Sequence, residues 1–106
     1  MNDYESGYWA FSEAQAARMI GDSIYLHEKQ KAPSRFGGKI VSYRVHQGPE
    51  DSEYIGRIIF RFSPNAEQKG VLAEGTWSRW YLRDKGRIHL FHDFGNSDGL
   101  LRQVKS

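Results

Sequence analysis

The segment Lys29-Gln30-Lys31-Ala32-Pro33-Ser34-Arg35-Phe36-Gly37-Gly38 gathers three cations, an aromatic ring and a glycine pair within one short stretch. Lys29, Lys31 and Arg35 are suited to phosphate oxygens, and two glycines let backbone approach an anion closely. Phe36 is suited to stacking on a base. The plainer reading is a solvated loop whose glycines serve turn geometry alone. A second such segment is Thr76-Trp77-Ser78-Arg79-Trp80-Tyr81-Leu82-Arg83. On a strand, Trp77, Arg79, Tyr81 and Arg83 share one face, which would make a stacking, cationic platform. Alternatively Trp77 and Tyr81 are core, and Arg79 and Arg83 reach out to solvent. Arg57 and Arg61 alternate with Ile55 and Ile59, either extending the basic face or guarding a sheet edge.

The histidines raise a different chemistry. His89-Leu90-Phe91-His92-Asp93 resembles a ligand cluster, but on a strand His89 and His92 point to opposite faces. His89 and Asp93 share a face, yet they are too few ligands for zinc. His27 and His46 could meet across neighbouring strands, and a histidine pair with a lysine would suit general acid–base cleavage of RNA. The spacing does not require it. P-loop, dinucleotide, nucleophile-elbow and His-Glu-x-x-His patterns are absent. The expectation is therefore a binding module with no catalytic residues, cofactor or metal.

These residues need elements to hold them. Ser12-Glu13-Ala14-Gln15 matches a capping box and opens a short helix that Gly21 stops, with Phe11 and Ala16 as its staple. Ser23–Glu28 alternates, with Ile24 and Leu26 on one face and Tyr25 and His27 on the other, as in a half-buried strand. Lys29–Gly38 reads as a loop, Lys39–His46 as a strand, and Glu53–Phe62 as the longest strand. Thr76–Arg83 and Arg87–Phe94 read as a hairpin across Asp84-Lys85-Gly86. Gly95–Gly99 reads as a turn, and the residues after it could add a sixth strand.

The bulk numbers agree with one small domain over residues 1–106. The chain has 106 residues, 14% aromatics and no cysteine, a globular composition without disulfides or thiolate metal sites. The acidic N-terminal residues lack a signal-peptide pattern, and no apolar run approaches the ~18–20 residues that span a bilayer. A cytoplasmic location without membrane contact is expected. Net charge is +2, but its distribution is uneven. Residues 1–15 hold Asp3, Glu5 and Glu13 and no base, whereas residues 29–49 hold Lys29, Lys31, Arg35, Lys39 and Arg44 and no acid. Such asymmetry could make one basic face.

The order of a helix, then Gly21-Asp22-Ser23-Ile24-Tyr25-Leu26-His27, a basic loop, and Phe36-Gly37-Gly38-Lys39-Ile40-Val41-Ser42-Tyr43 resembles the PUA-like barrels, in particular their EVE and ASCH branches. The resemblance covers roughly residues 8–62. It implies a mainly β (α+β) fold, a small five- to six-stranded antiparallel barrel with one N-terminal helix, binding RNA or a modified DNA base. By motif position, Trp9, Tyr25 and the loop Lys29–Phe36 would line the cleft. The chain lacks the Trp-rich N-terminal strand and Asn-rich segment of the EVE branch, which argues against base flipping. The expected nucleic-acid contacts are Trp9, Tyr25, Lys29, Lys31, Arg35, Phe36, Arg79 and Arg83, with RNA or DNA as partner. The alternatives are a protein-interaction subunit or homodimer, using Ile55, Ile59 and Trp80, and a small hydrolase or nuclease using His27 or His46.

Overall fold

The computed structural model of the chain describes residues 2–92, 94 and 99–104. One helix and seven strands follow in the order β1 (Asp3–Trp9), α1 (Glu13–Met19), β2 (Ser23–His27), β3 (Phe36–Val45), β4 (Ile58–Pro64), β5 (Tyr81–Asp84), β6 (Arg87–Phe91) and β7 (Leu100–Val104). The helix forms where its local signals place it. The Gln15 amide donates to Ser12 Oγ at 3.1 Å, and the Ser12 amide donates to Gln15 Oε1 at 2.9 Å. This satisfies two amides that the first turn leaves without helical partners. Ala16 and Met19 bury the inner side of α1, and Gly21, at φ +92°, turns the chain into β2.

The strands form one open sheet in the order β5-β6-β2-β3-β4-β1-β7. The fold is mainly β with one helix, as the sequence suggests, but it is not the expected closed barrel of five or six strands. Two particulars account for the difference. First, the acidic N-terminal segment is a strand, β1, seated between β4 and β7. Second, β2 and β6 pair in parallel, Tyr25 opposite His89, while the other paired strands run antiparallel. Strands β5 and β7 each pair on one side and end the sheet.

Gly37 and Gly38 belong to β3 and not to a loop. A Cβ on Gly37 would stand 2.2 Å from the Ile24 carbonyl oxygen, and one on Gly38 would stand 2.0 Å from that of Ser63. The glycine pair therefore serves the close approach of β3 to β2 and β4, and the space an anion would need is already filled by backbone. The tight hairpin forms as expected, with φ +51° at Lys85 and +76° at Gly86, the left-handed pair of a two-residue turn that follows strand twist. The strand expected over Thr76–Arg83 shortens to β5. Ser78 and Tyr81 bond each other across a turn in which Arg79 sits at φ +62°. Trp77, Arg79, Tyr81 and Arg83 consequently do not share one strand face. The strand expected from Glu53 starts at Ile58, because residues 52–54 form a single 3₁₀ turn and Gly56 bonds back to His46. The expected turn at 95–98 and Asp93 lie outside the described residues.

One core joins Ile24, Leu26, Ile40, Phe60, Phe62, Ile88 and Leu90 from the sheet with Phe11 and Met19. Burying each such side chain contributes about 1.5–3 kcal/mol. Trp9 is part of this core: its ring stacks on Trp80 at 5.6 Å and its Nε1 donates to Ser6 Oγ at 3.2 Å. Trp80 also packs on Phe11, Ile59 is 1% exposed, and Ile55 is 55% exposed. Ile55, Ile59 and Trp80 therefore make no common surface. Among the described residues, no helix is long and apolar enough to cross a membrane.

Candidate functional site

Folding pairs several of the chain's arginines with acids. Glu5 of β1 accepts two bonds from Arg44 of β3, at 2.8 and 3.0 Å, and two from Arg102 of β7, at 3.1 and 3.0 Å. These cations hold the Glu5 carboxyl below its ordinary pKa, Arg44 most strongly, against the opposing effect of burial. Asp3 takes Arg61 at 2.8 Å, and Asp22 takes Arg83 at 3.0 Å. The acidic N-terminal segment thus neutralises arginines that a linear reading assigns to a basic face.

Cations without an acidic partner among the described residues collect elsewhere, on two loops joined side by side. The first loop, residues 28–35, leads from β2 to β3; the second, residues 69–80, leads to β5. Ser34 fastens them. Its amide donates to the Val71 carbonyl at 2.8 Å, its carbonyl accepts from Gly70 at 2.8 Å, and its hydroxyl accepts from the Val71 amide at 3.0 Å and donates to the Gln68 carbonyl. Further along, Gln30 Nε2 donates to the Arg79 carbonyl at 2.7 Å. Lys29 and Lys31 of one loop thereby come beside Arg79 of the other, and all three are exposed. Where the two loops meet lies a cleft of about 440 Å³ lined by Gln30, Lys31, Leu72, Thr76 and the half-buried Trp77. That volume lies within the range of ordinary ligand sites.

The other expected contacts are scattered. Arg35 pairs with Glu28 at 3.3 Å and lies over the Phe94 ring at 4.6 Å. Phe36 meets Tyr4 edge-on at 4.8 Å, and with Arg35, Pro64 and Lys69 it borders a broad, mostly apolar cleft at the ends of β3 and β4. Arg83 is held by Asp22 and by the Arg18 carbonyl. Tyr25 is buried, its ring stacked on His89 at 4.4 Å. Trp9, in the core, does not line the cleft beside Lys31. The strand β2 is buried on both faces, because the second loop covers the side expected to meet solvent.

Under that cover lies a histidine pair. His27 Nε2 and His89 Nδ1 are 2.8 Å apart, and His27 Nδ1 is 2.8 Å from the Ala32 carbonyl oxygen. Trp77 closes over the pair, edge-on to His27 at 5.4 Å. Burial lowers the pKa of His27. For His89, burial first, then the neighbouring His27 and Arg87, push the value down to about 4. Both rings are therefore neutral at pH 7. A carbonyl only accepts, so His27 donates from Nδ1 and keeps a lone pair on Nε2; His89 then donates from Nδ1. His46 lies apart, its Nε2 2.6 Å from the Glu50 carbonyl oxygen. His27 and His46 do not meet. His92 packs near Trp9 and Phe94 and not against His89. Among the described residues, no three His, Asp or Glu side chains are grouped to hold a metal ion.

The His27–His89 contact was the feature least visible beforehand, since it depends on the parallel pairing of strands 62 residues apart. Its one sequence signal is the alternation that puts Tyr25 and His27 on the face opposite Ile24 and Leu26. Comparison with protein-family models, curated proteins and solved structures gives no match. The likeness to the PUA-like barrels rests on the sequence pattern alone.

Proposed function

We propose that this chain is a binding module for nucleic acid, taken along the two joined loops. The observation that carries the reading is the Gln30–Arg79 bond, which ties the loop carrying Lys29 and Lys31 to the loop carrying Arg79 beside a cleft lined by Lys31 and Trp77. Cations contact phosphates regardless of sequence, and a partly exposed indole offers a stacking face to an unpaired base. The reading retains Lys29, Lys31 and Arg79 as phosphate contacts and Phe36 at the neighbouring cleft. It replaces Trp9 and Tyr25, both buried, with Trp77 as the stacking ring, and it releases Arg35 and Arg83, each paired with a carboxylate. The likeness of residues 8–62 to PUA-like barrels points to the same class of ligand.

Fluorescence anisotropy with labelled single- and double-stranded DNA and RNA across a salt series tests it. Single strands should bind, with log affinity falling linearly in log salt. Replacing Lys31 and Arg79 together by Ala should reduce that slope by about 2 and leave stability within about 0.5 kcal/mol. No binding at low salt, or an unchanged slope in the double variant, would sink the proposal.

A further inference from the structure

Beyond the loops' outer surface lies a smaller cavity that the nucleic-acid reading does not use. It measures about 140 Å³ and sits between residues 71–74 and the β5–β6 hairpin. Its lining includes Leu72 and Leu82, the carboxylates Glu74 and Asp84, Arg87 and His89. His89 is 4% exposed. The donor chain through His27 fixes its polarity: with Nδ1 donating, Nε2 carries the lone pair. Among the described residues that atom has no hydrogen-bond partner, and the ring that carries it lines the cavity.

We propose that this cavity is a binding site for a small primary ammonium group. Three acceptors line it, two carboxylates and the His89 lone pair, and an –NH₃⁺ group carries three donors. Two carboxylates against one guanidinium leave the lining with a net negative charge. Leu72 and Leu82 supply an apolar wall for a short alkyl chain. A water takes about 30 Å³ of liquid, so 140 Å³ holds roughly five non-hydrogen atoms, the size of butylammonium. Burial keeps His89 from protonating beside a bound cation, and this makes it a poor general base at neutral pH and a steady acceptor. The cation has two sources, a free alkylamine or a lysine side chain of another chain.

Nitrogen-15 NMR of the histidine rings tests the site on the whole protein. Without ligand, His27 and His89 should both show protonated Nδ1 and unprotonated Nε2. Butylammonium should then shift His89 Nε2 saturably, and tetramethylammonium, a cation with no N–H, should leave it in place. Nα-acetyl-lysine methylamide forms a parallel arm: whichever of the two amines saturates at lower concentration identifies the source. Glu74 is exposed, so Glu74→Gln should fold normally and weaken butylammonium about tenfold. A protonated Nε2 on His89, an equal response to tetramethylammonium, or unchanged affinity in Glu74→Gln would each overturn the proposal. None of these outcomes depends on whether the loops bind nucleic acid.

Discussion

The outer face of β1, β3, β4 and β7 and the two-loop layer over β2 and β6 are both rich in arginine or lysine, and they use charge in opposite ways. On the first, Glu5 is shared by Arg44 and Arg102, and Asp3 takes Arg61. Each arginine there has a carboxylate partner, and the pairs join strands distant in sequence. In the second, Lys29, Lys31 and Arg79 are exposed on neighbouring loops, which are fastened by backbone, Ser34 and Gln30 bonds that involve no ionised group. A cation that fastens the fold has its partner already; a cation that serves binding is held in position by something else. The difference teaches that a run of bases is informative only once its acids are located, and here they came from the chain's other end.

The largest expected effect lies in the loop layer and sharpens the contrast through pH. The folded pKa of His89, about 4, is below the ordinary 6.5. Between those values the unfolded chain binds more protons, so stability is full above about pH 6.5 and is lost as pH falls toward 4. The loss should be on the order of 3 kcal/mol. Urea denaturation at half-unit pH steps measures it, and His89→Gln should flatten most of the slope. An unchanged slope in that variant would mean that the loops do not keep His89 from water.

The ion cluster answers in a lower window. The folded pKa of Glu5 is depressed below 4.5, so its contribution is present above 4.5 and disappears as pH falls through the folded value. Glu5→Gln removes the charge two arginines share and should cost about 1–3 kcal/mol at pH 7, toward the low end because both guanidiniums are half-exposed. It should leave nucleic-acid affinity unchanged. If Glu5→Gln abolished binding at constant stability, the division between a fastening region and a binding region would fail.

How much of this was legible in the sequence follows from the range of each cue. The capping box at Ser12 and Gln15 and the Lys85-Gly86 turn are settled within four residues, and both were readable. Strand β1 was not, because Asp3, Glu5 and Ser6 look like solvent residues until arginines from β3, β4 and β7 close around the acids. Gly37-Gly38 gave a loop signal, although what requires glycine there is the carbonyls of Ile24 and Ser63. At the candidate site, Lys29, Lys31 and Arg79 are legible as local clusters of cations and aromatics, whereas Trp77 reads as part of a strand that does not form. His27 was singled out, but its partner was hidden by the parallel crossover.

The smallest effect tests what holds the loop layer together. Ser34 is 3% exposed, and its hydroxyl bridges the Val71 amide and the Gln68 carbonyl. Ser34→Ala leaves both backbone groups without that partner and should cost about 1–2 kcal/mol. The cost should appear locally, as faster hydrogen exchange at Gly70 and Val71 with little change at Phe60 and Phe62 in the core. Because residues 69–77 cover the histidine pair, loosening them should raise the pKa of His89 toward 6.5 and reduce the pH slope. It should also weaken strand binding, since Lys31 and Arg79 would no longer be held to one separation. Unchanged exchange at Val71 would show that the Gln30–Arg79 bond and the backbone pairs of Ser34 suffice.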